Sequence, residues 1–389
     1  MEGDFIKINK WLLPLSWLYG LAVKLRNTLF DIGVLKSRAF DVPVIAVGNI
    51  TVGGTGKTPH VEYLVKTLRN YCHVAVLSRG YKRKTKGFIV ADDSTSVSDI
   101  GDEPFQMKQK FKDVTVAVDK DRCHAIDLLV EQDKQLDVIL LDDAFQHRYV
   151  KPGINILLVD YHRLVIYDKL LPAGRLREPL NGKNRADIVI VTKCPKDLKP
   201  MEYRVITKAM ALFPYQKLYF TTIRYGRLKP LFHSSPDVSE LADLKSRHIL
   251  LLTGIGSPEQ MIHDLAPLSL SLTPLTFADH HRFNKKDLIR INDAFDALPS
   301  PKCIVTTEKD ATRLEHGEGL SDAARQSLYL LPIEVCFMQE QQNNFNNQII
   351  DYVHKNSRNS ILVKRKDDHK SKDSHRAGDR PRTISFRNN

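Results

Sequence analysis

Apolar runs recur along the first half of the chain, at residues 44–47, 73–78, 114–118, 137–141, 154–160 and 187–192. Continuous apolar runs of this length predict strands covered on both faces, as in a parallel sheet. Between them, apolar residues return at helical spacing: Val61, Leu64, Val65 and Leu68 share one face. The alternation predicts a doubly wound α/β fold with a mostly parallel sheet. In such sheets ligands gather at the carboxyl ends of the strands. Residues 48–58, 79–81, 119–122 and 142–147 all lie there. From about residue 216 the pattern restarts, with apolar runs at 219–223, 248–253, 303–306 and 333–337. The run at 303–306 leads into Thr307-Glu308-Lys309-Asp310, and Gly254-Ile255-Gly256 reads as a strand–helix turn. The expected organisation is a first α/β domain over 36–215 and a smaller α/β domain over 216–350.

Residues 11–23, WLLPLSWLYGLAV, stand apart. Thirteen helical residues cover roughly 20 Å, short of the ~30 Å apolar core of a bilayer. Leu18, Leu21, Leu25, Leu29 and Ile32 form one helical stripe, while Ser16, Gly20, Lys24, Asn27 and Asp31 form another. With tryptophans at one end and Lys24 and Arg26 following, residues 1–35 read as an amphipathic helix. It lies in a membrane surface or packs on its own domain.

The net charge of +12 suggests a nucleic-acid partner until it is located. Residues 356–389 hold ten Lys/Arg against four Asp, half of the excess, in a stretch with few apolar residues. Residues 351–389 therefore read as a basic, disordered tail. The rest is spread thinly and has no nucleic-acid motif beside it, so it suits acidic substrates or lipid headgroups and gives no nucleic-acid partner. The five cysteines (Cys72, Cys123, Cys194, Cys303, Cys336) form no C-x-x-C pair. They argue against a disulfide framework or a zinc site and for a reducing compartment, hence a cytoplasmic location.

The strand at 44–47 runs into Gly48-Asn49-Ile50-Thr51-Val52-Gly53-Gly54-Thr55-Gly56-Lys57-Thr58, and the helical pattern follows directly. This is the strand–loop–helix context of a phosphate-binding loop. Gly53, Gly54, Thr55 and Gly56 let backbone amides close around phosphate oxygens, with Lys57 on the β/γ-phosphates and the Thr58 hydroxyl on Mg²⁺. Thr51 occupies the first glycine position of the general pattern. The expected ligand is a nucleoside triphosphate. Asp142-Asp143, closing the run at 137–141, has the form of the strand-end carboxylate that holds the metal, with either aspartate able to serve. Arg79 and Arg122 close two other strands and suit phosphate geometry. Gln146 and His147 follow the aspartate pair. Asp102 and Glu103 read as the acidic start of a helix, or as one half of a carboxylate–imidazole pair completed by Asp279-His280-His281 across a cleft.

Taken together, the loop at 48–59, Ser78-Arg79-Gly80-Tyr81, Gly101-Asp102-Glu103-Pro104, residues 141–147, Leu171-Pro172-Ala173-Gly174-Arg175-Leu176-Arg177-Glu178 and Phe277-Ala278-Asp279-His280-His281 resemble the tetraacyldisaccharide 4'-kinase family. The resemblance spans residues 10 to 340 in consistent order and leaves the basic tail outside. It implies an ATP- and Mg²⁺-dependent P-loop kinase that phosphorylates the 4'-hydroxyl of the lipid A disaccharide 1-phosphate precursor. The implied place is the cytoplasmic face of the inner membrane of a Gram-negative bacterium, with the N-terminal helix at the membrane surface. It implies Asp102 as general base assisted by His280, and Thr58 and Asp142, with Asp143, around Mg²⁺. Arg79, Tyr81, Arg122, Gln146, His147, Arg177 and Glu178 then line the nucleotide or headgroup site. The competing reading is a P-loop ATPase or GTPase switch without a lipid substrate. Val191-Thr192-Lys193-Cys194-Pro195 lacks the Asn and Asp of a guanine-reading N-K-x-D, which weakens the GTPase form.

Overall fold

The structure is a computed structural model that describes residues 8–232, 238–256, 258–279, 281–314 and 319–357. Among the described residues fourteen strands are formed: β1 (Val44–Gly48), β2 (Val74–Ser78), β3 (Ile89–Val90), β4 (Thr115–Val118), β5 (Val138–Asp142), β6 (Ile154–Asp160), β7 (Ile188–Thr192), β8 (Lys217–Tyr225), β9 (Lys229–Pro230), β10 (His248–Thr253), β11 (Ser271–Thr276), β12 (Lys302–Thr307), β13 (Leu328–Leu331) and β14 (Ile333–Phe337). They build a nine-stranded sheet in the order β14-β8-β7-β6-β1-β5-β2-β4-β3 and a five-stranded sheet in the order β11-β10-β12-β13-β9. Seven strands of the larger sheet run parallel; β14 and β3 close its edges antiparallel. The α/β fold with mostly parallel sheets is the one expected from the alternating pattern.

Why these runs become central strands is visible in their burial. β1, β2, β5 and β7 are buried at every position, which only a sheet covered on both faces allows. On one face, the helix Lys57–Leu68 lays down Val61, Leu64, Val65 and Leu68, and the last helix, Gln342–Asn356, adds Phe345, Ile349 and Val353. Ile126 and Leu129 of the helix Arg122–Gln132 cover part of the other face. Each fully buried Leu stabilises the layer by ~1.5–3 kcal/mol. Truncating Leu64 to Ala would cost ~2–5 kcal/mol, because a cavity is left behind.

The chain leaves the larger sheet after β8 and returns at β14, which pairs antiparallel with β8 through Ile333 and Tyr225. Between these points lie all the strands of the smaller sheet. The strands at 217–225 and 333–337, grouped by sequence pattern with residues 216–350, are thus hydrogen-bonded into the larger sheet. Apolar runs mark strands but carry no label for the sheet they join.

The N-terminal helix, Leu13–Asp31, docks on the larger body by its polar side. Ser16 Oγ donates to the Leu170 carbonyl at 3.0 Å and accepts from the Ala173 amide at 2.9 Å. Tyr19 donates to the Arg177 carbonyl at 2.8 Å, and Asn27 to Glu178 at 3.3 Å. Gly20 sits where a Cβ would come within 2.6 Å of Leu170. The side chains of Trp11, Leu15, Trp17, Leu18, Leu21, Leu25 and Ile32 consequently face outward, exposed. Among the described residues, no helix is long and apolar enough to cross a membrane.

Candidate active site

Parallel pairing of β1 with β5 sets Val47 opposite Asp142, so the glycine loop and the aspartate pair emerge side by side. The loop is held from below and from the side. Asn49 donates to Thr55 Oγ1 at 2.9 Å, and the Val52 amide donates to the Arg175 carbonyl at 2.8 Å. The Arg177 amide donates to the Ile50 carbonyl at 2.7 Å, which brings the Leu-Pro-Ala-Gly-Arg-Leu-Arg-Glu segment against the loop. Gly56, at φ +82°, is the left-handed residue that turns the loop into its helix, a conformation glycine adopts without strain. Lys193, at the end of β7, pairs with Asp160 at 2.8 Å and also donates to the Gly54 carbonyl.

A cleft of about 1440 Å³ opens over the loop. Gly53, Gly54, Thr55, Gly56, Lys57 and Thr58 line it, with Asp142 and Asp143, Arg79, Tyr81, Arg122, Gln146, His147, Arg177 and Glu178. All of these were candidates from sequence, and the fold brings them to one place. Asp102 is one step behind the wall: Glu103 lines the cleft, while the Asp102 carboxylate engages Arg313 at 2.6 Å. His280 lies outside the described residues; its neighbour Asp279 lines the cleft and meets Lys309 at 3.1 Å. The smaller sheet contributes further walls through Gly256, Gln260, Met261 and residues 307–309.

The electrostatics of the cleft are those of a site awaiting phosphate and a cation. Asp142 is buried, and desolvation, with Asp143 and Glu103 nearby, pushes its carboxyl up to about 7. Asp143 takes a left-handed backbone at φ +47°, a conformation aspartate tolerates better than most residues other than glycine. Its Oδ1 lies 3.7 Å from Lys57 and 3.5 Å from Arg177. The Oδ1 atoms of both aspartates are buried without a hydrogen-bond donor among the described residues. A divalent cation would satisfy them and remove the cost of ionising Asp142, so the pair fits Mg²⁺. Among the described residues no group of three or more His, Cys, Asp or Glu converges to hold a metal. Two carboxylates suit a Mg²⁺ that keeps phosphate and water in its shell.

Near the carboxylates, Arg122 is buried and its Nε has no hydrogen-bond partner among the described residues. Burial, then Arg122 beside it, depresses the His147 imidazole to about 4, so the ring is neutral at pH 7; its Nε2 is likewise buried without a partner among the described residues. Glu178 is anchored by Arg185 at 2.8 Å. Arg26 of the N-terminal helix donates to the Gln146 carbonyl at 2.9 Å, and Tyr19, Val23 and Arg26 line the cleft. The outward-facing apolar helix and the phosphate site are therefore neighbours. Tyr19 and Gln106 were not singled out from sequence. Arg26 was read only as a cation flanking the N-terminal helix, Lys193 only in the test for a guanine-reading motif, and Lys309 only in the charged Thr307-Glu308-Lys309-Asp310 turn after a strand.

Backbone amides, a lysine and an unsatisfied carboxylate pair meeting at the end of a parallel sheet make this a P-loop phosphotransferase. Residues 8–354 match the family described as tetraacyldisaccharide-1-P 4'-kinase, and the chain belongs to it. It is 60% identical to the tetraacyldisaccharide 4'-kinase of Phocaeicola vulgatus over 363 residues, covering 92% of this chain and 99% of that one. It is 56% identical to the Bacteroides fragilis enzyme of the same name, covering 95% of this chain and 100% of that one. A crystal structure of LpxK from Aquifex aeolicus in complex with ATP is 30% identical and superimposes with a TM-score of 0.66, covering 88% of this chain and 98% of that one.

Proposed function

We propose that this chain transfers the γ-phosphate of ATP to the 4'-hydroxyl of a tetraacyldisaccharide 1-phosphate, a lipid A precursor. The observation that carries the reading is the adjacency, within one cleft, of a phosphate loop, an unsatisfied aspartate pair and a helix that turns its apolar face outward. A nucleotide switch needs no such helix; a kinase acting on an acylated sugar does.

In this reading residues 53–58 bind the triphosphate, with backbone amides and Lys57 on its oxygens. Thr58, Asp142 and Asp143 would hold Mg²⁺, which supplies charge neutralisation on the β- and γ-phosphoryl oxygens. Arg79, Arg122 and Arg177 add positive charge where the transferring group gains negative charge, and Tyr81, Gln146, His147 and Glu178 orient the sugar or its 1-phosphate. Asp102 accepts the proton of the 4'-hydroxyl, and His280 assists. The hydroxyl oxygen bonds to the γ-phosphorus as the bond to the β,γ-bridging oxygen breaks, and ADP leaves. The transition state is loose, so positioning and charge neutralisation carry most of the rate.

We read the molecule as two bodies around this cleft: one on the nine-stranded sheet, the other over residues 226–332 between β8 and β14. The N-terminal helix rests on the cytoplasmic face of the inner membrane, apolar face in the lipid and polar face on the protein. The acyl chains then stay in the bilayer while the sugar enters beneath Tyr19 and Arg26. The test is ³¹P NMR of the lipid after incubation with ATP and Mg²⁺. Two phosphomonoester signals on one disaccharide support the reading; a single unchanged signal while ATP is consumed refutes it.

A further inference from the structure

The turn Thr307-Glu308-Lys309-Asp310 and the helix Glu308–Leu314 have no part in the chemistry described so far. Yet this helix meets the helix Asp102–Lys110 through three ionic links. Lys110 reaches Glu308 at 2.8 Å and the buried Glu62 of the phosphate-loop helix at 2.6 Å. Lys309 reaches Glu103 at 3.0 Å. Arg313 donates to one oxygen of Asp102, Oδ2, from Nε at 3.0 Å and from Nη2 at 2.6 Å.

We infer that Arg313 is a positioning residue for Asp102, delivered from the smaller sheet; the inference rests on Asp102 being the base. The guanidinium is itself fixed from behind. Its Nη1 donates to Asp310 Oδ1 at 3.0 Å. Asp310 is fully buried and accepts from the Gly254 amide at 2.9 Å and from Thr307 Oγ1 at 2.7 Å. The Arg313 side chain is only 4% exposed, so the fork has one orientation to offer. A planar donor set that satisfies two carboxylates at once is specific to arginine; a lysine ammonium cannot span both. The main chain at Asp102 is constrained from the other side. Gly101, at φ +94°, packs so closely on the Tyr81 carbonyl that a Cβ would lie 2.8 Å from its oxygen. Asp102 is thereby held at its backbone by the larger body and at Oδ2 by the smaller one. Because the other two links hold the same seam, the particular contribution of Arg313 falls on Asp102. The base is oriented only while the two bodies keep this arrangement, so their closure and proton transfer are coupled.

The experiment compares the full chain with Arg313→Met, Arg313→Lys, Asp102→Ala and the Asp102→Ala/Arg313→Met double variant. It measures kcat, KM for both substrates and thermal stability. A misplaced base is expected to lower kcat of Arg313→Met by about 10- to 100-fold while each KM moves less than about threefold. Arg313→Lys recovers part of the loss. In the Asp102→Ala background the second substitution costs nothing further, since Arg313 then has no base to orient. Multiplying losses in the double variant would make Arg313 act independently of Asp102 and overturn the inference. So would kcat within twofold of wild type in Arg313→Met while Asp102→Ala is crippled. Full activity of Asp102→Ala would instead overturn the base assignment. Should Arg313→Met fail to fold, a folded Arg313→Lys with wild-type kcat overturns the inference, and one with kcat reduced at unchanged KM supports it.

Discussion

The outward apolar face of the N-terminal helix gives a membrane affinity that can be worked out and removed. Leu18, Leu21 and Leu25 are 56%, 54% and 61% exposed and lie one helical turn apart. Full burial of a leucine side chain is worth ~1.5–3 kcal/mol, so a side chain with somewhat more than half its surface to bury gains about 1 kcal/mol on entering lipid. Replacing all three by Ala should therefore weaken partitioning by about 3 kcal/mol, a factor of about 100 at 1.4 kcal/mol per decade. The docked face, Ser16, Tyr19, Asn27 and Phe30, is untouched, so the helix should stay in place. The assay is co-sedimentation with vesicles containing anionic lipid, with turnover on detergent-dispersed substrate measured in parallel. Loss of sedimentation with turnover kept within a few-fold is expected. Sedimentation equal to wild type would refute the assignment of this face to the membrane.

Other outcomes follow from the site. Lys57→Ala should remove productive phosphate binding, lowering kcat/KM for ATP by at least about 100-fold; unchanged kinetics would contradict the phosphate-loop assignment. Asp102→Ala and His280→Ala should each cut kcat, by about 10²- to 10⁴-fold for the base, with the Kd for ATP by calorimetry within a few-fold of wild type. Asp142→Asn should abolish the extra thermal stabilisation that Mg²⁺ adds to ATP, and a retained Mg²⁺ increment would move the metal elsewhere. His60 gives a pH signature of folding. It is buried between the Gly56 carbonyl at 2.7 Å and Thr221 Oγ1 at 3.1 Å, and burial lowers its imidazole to about 4. The unfolded chain takes up a proton near pH 6.5 while the folded protein does not. The stability is thus complete above pH 6.5 and lost as pH falls towards 4, by about 2 kcal/mol at pH 5. Relative to wild type, His60→Gln should gain about that much unfolding free energy between pH 7.5 and pH 5; parallel pH profiles would refute it.

The phosphate loop was legible because its chemistry is local: glycines, a lysine and a hydroxyl at fixed spacing between a strand and a helix. The strand-end position of Asp142 and Arg79 was legible too, since a parallel sheet sends all carboxyl ends to one edge; Arg122, read as a strand end, instead opens the helix that follows β4. The two stripes of the N-terminal helix were readable, but not which one faces the protein. A polar stripe docks only because Leu170, Ala173, Arg177 and Glu178 offer it partners from more than 140 residues away. His60 and Glu62 sit at polar-looking positions of the phosphate-loop helix yet are buried, the first under β8 and the second under Lys110. Membership of β8 and β14 in the larger sheet, and the meeting of Asp102 with Arg313 across 211 residues, are tertiary facts with no local signature.

The most direct measurement is transfer of label from [γ-³²P]ATP and Mg²⁺ to detergent-solubilised tetraacyldisaccharide 1-phosphate, separated by thin-layer chromatography. A labelled lipid formed by the wild-type chain and absent with Lys57→Ala is the expected result. Labelled free phosphate with no labelled lipid, under conditions where another lipid kinase phosphorylates its own substrate, would contradict it and leave a nucleotide switch in its place.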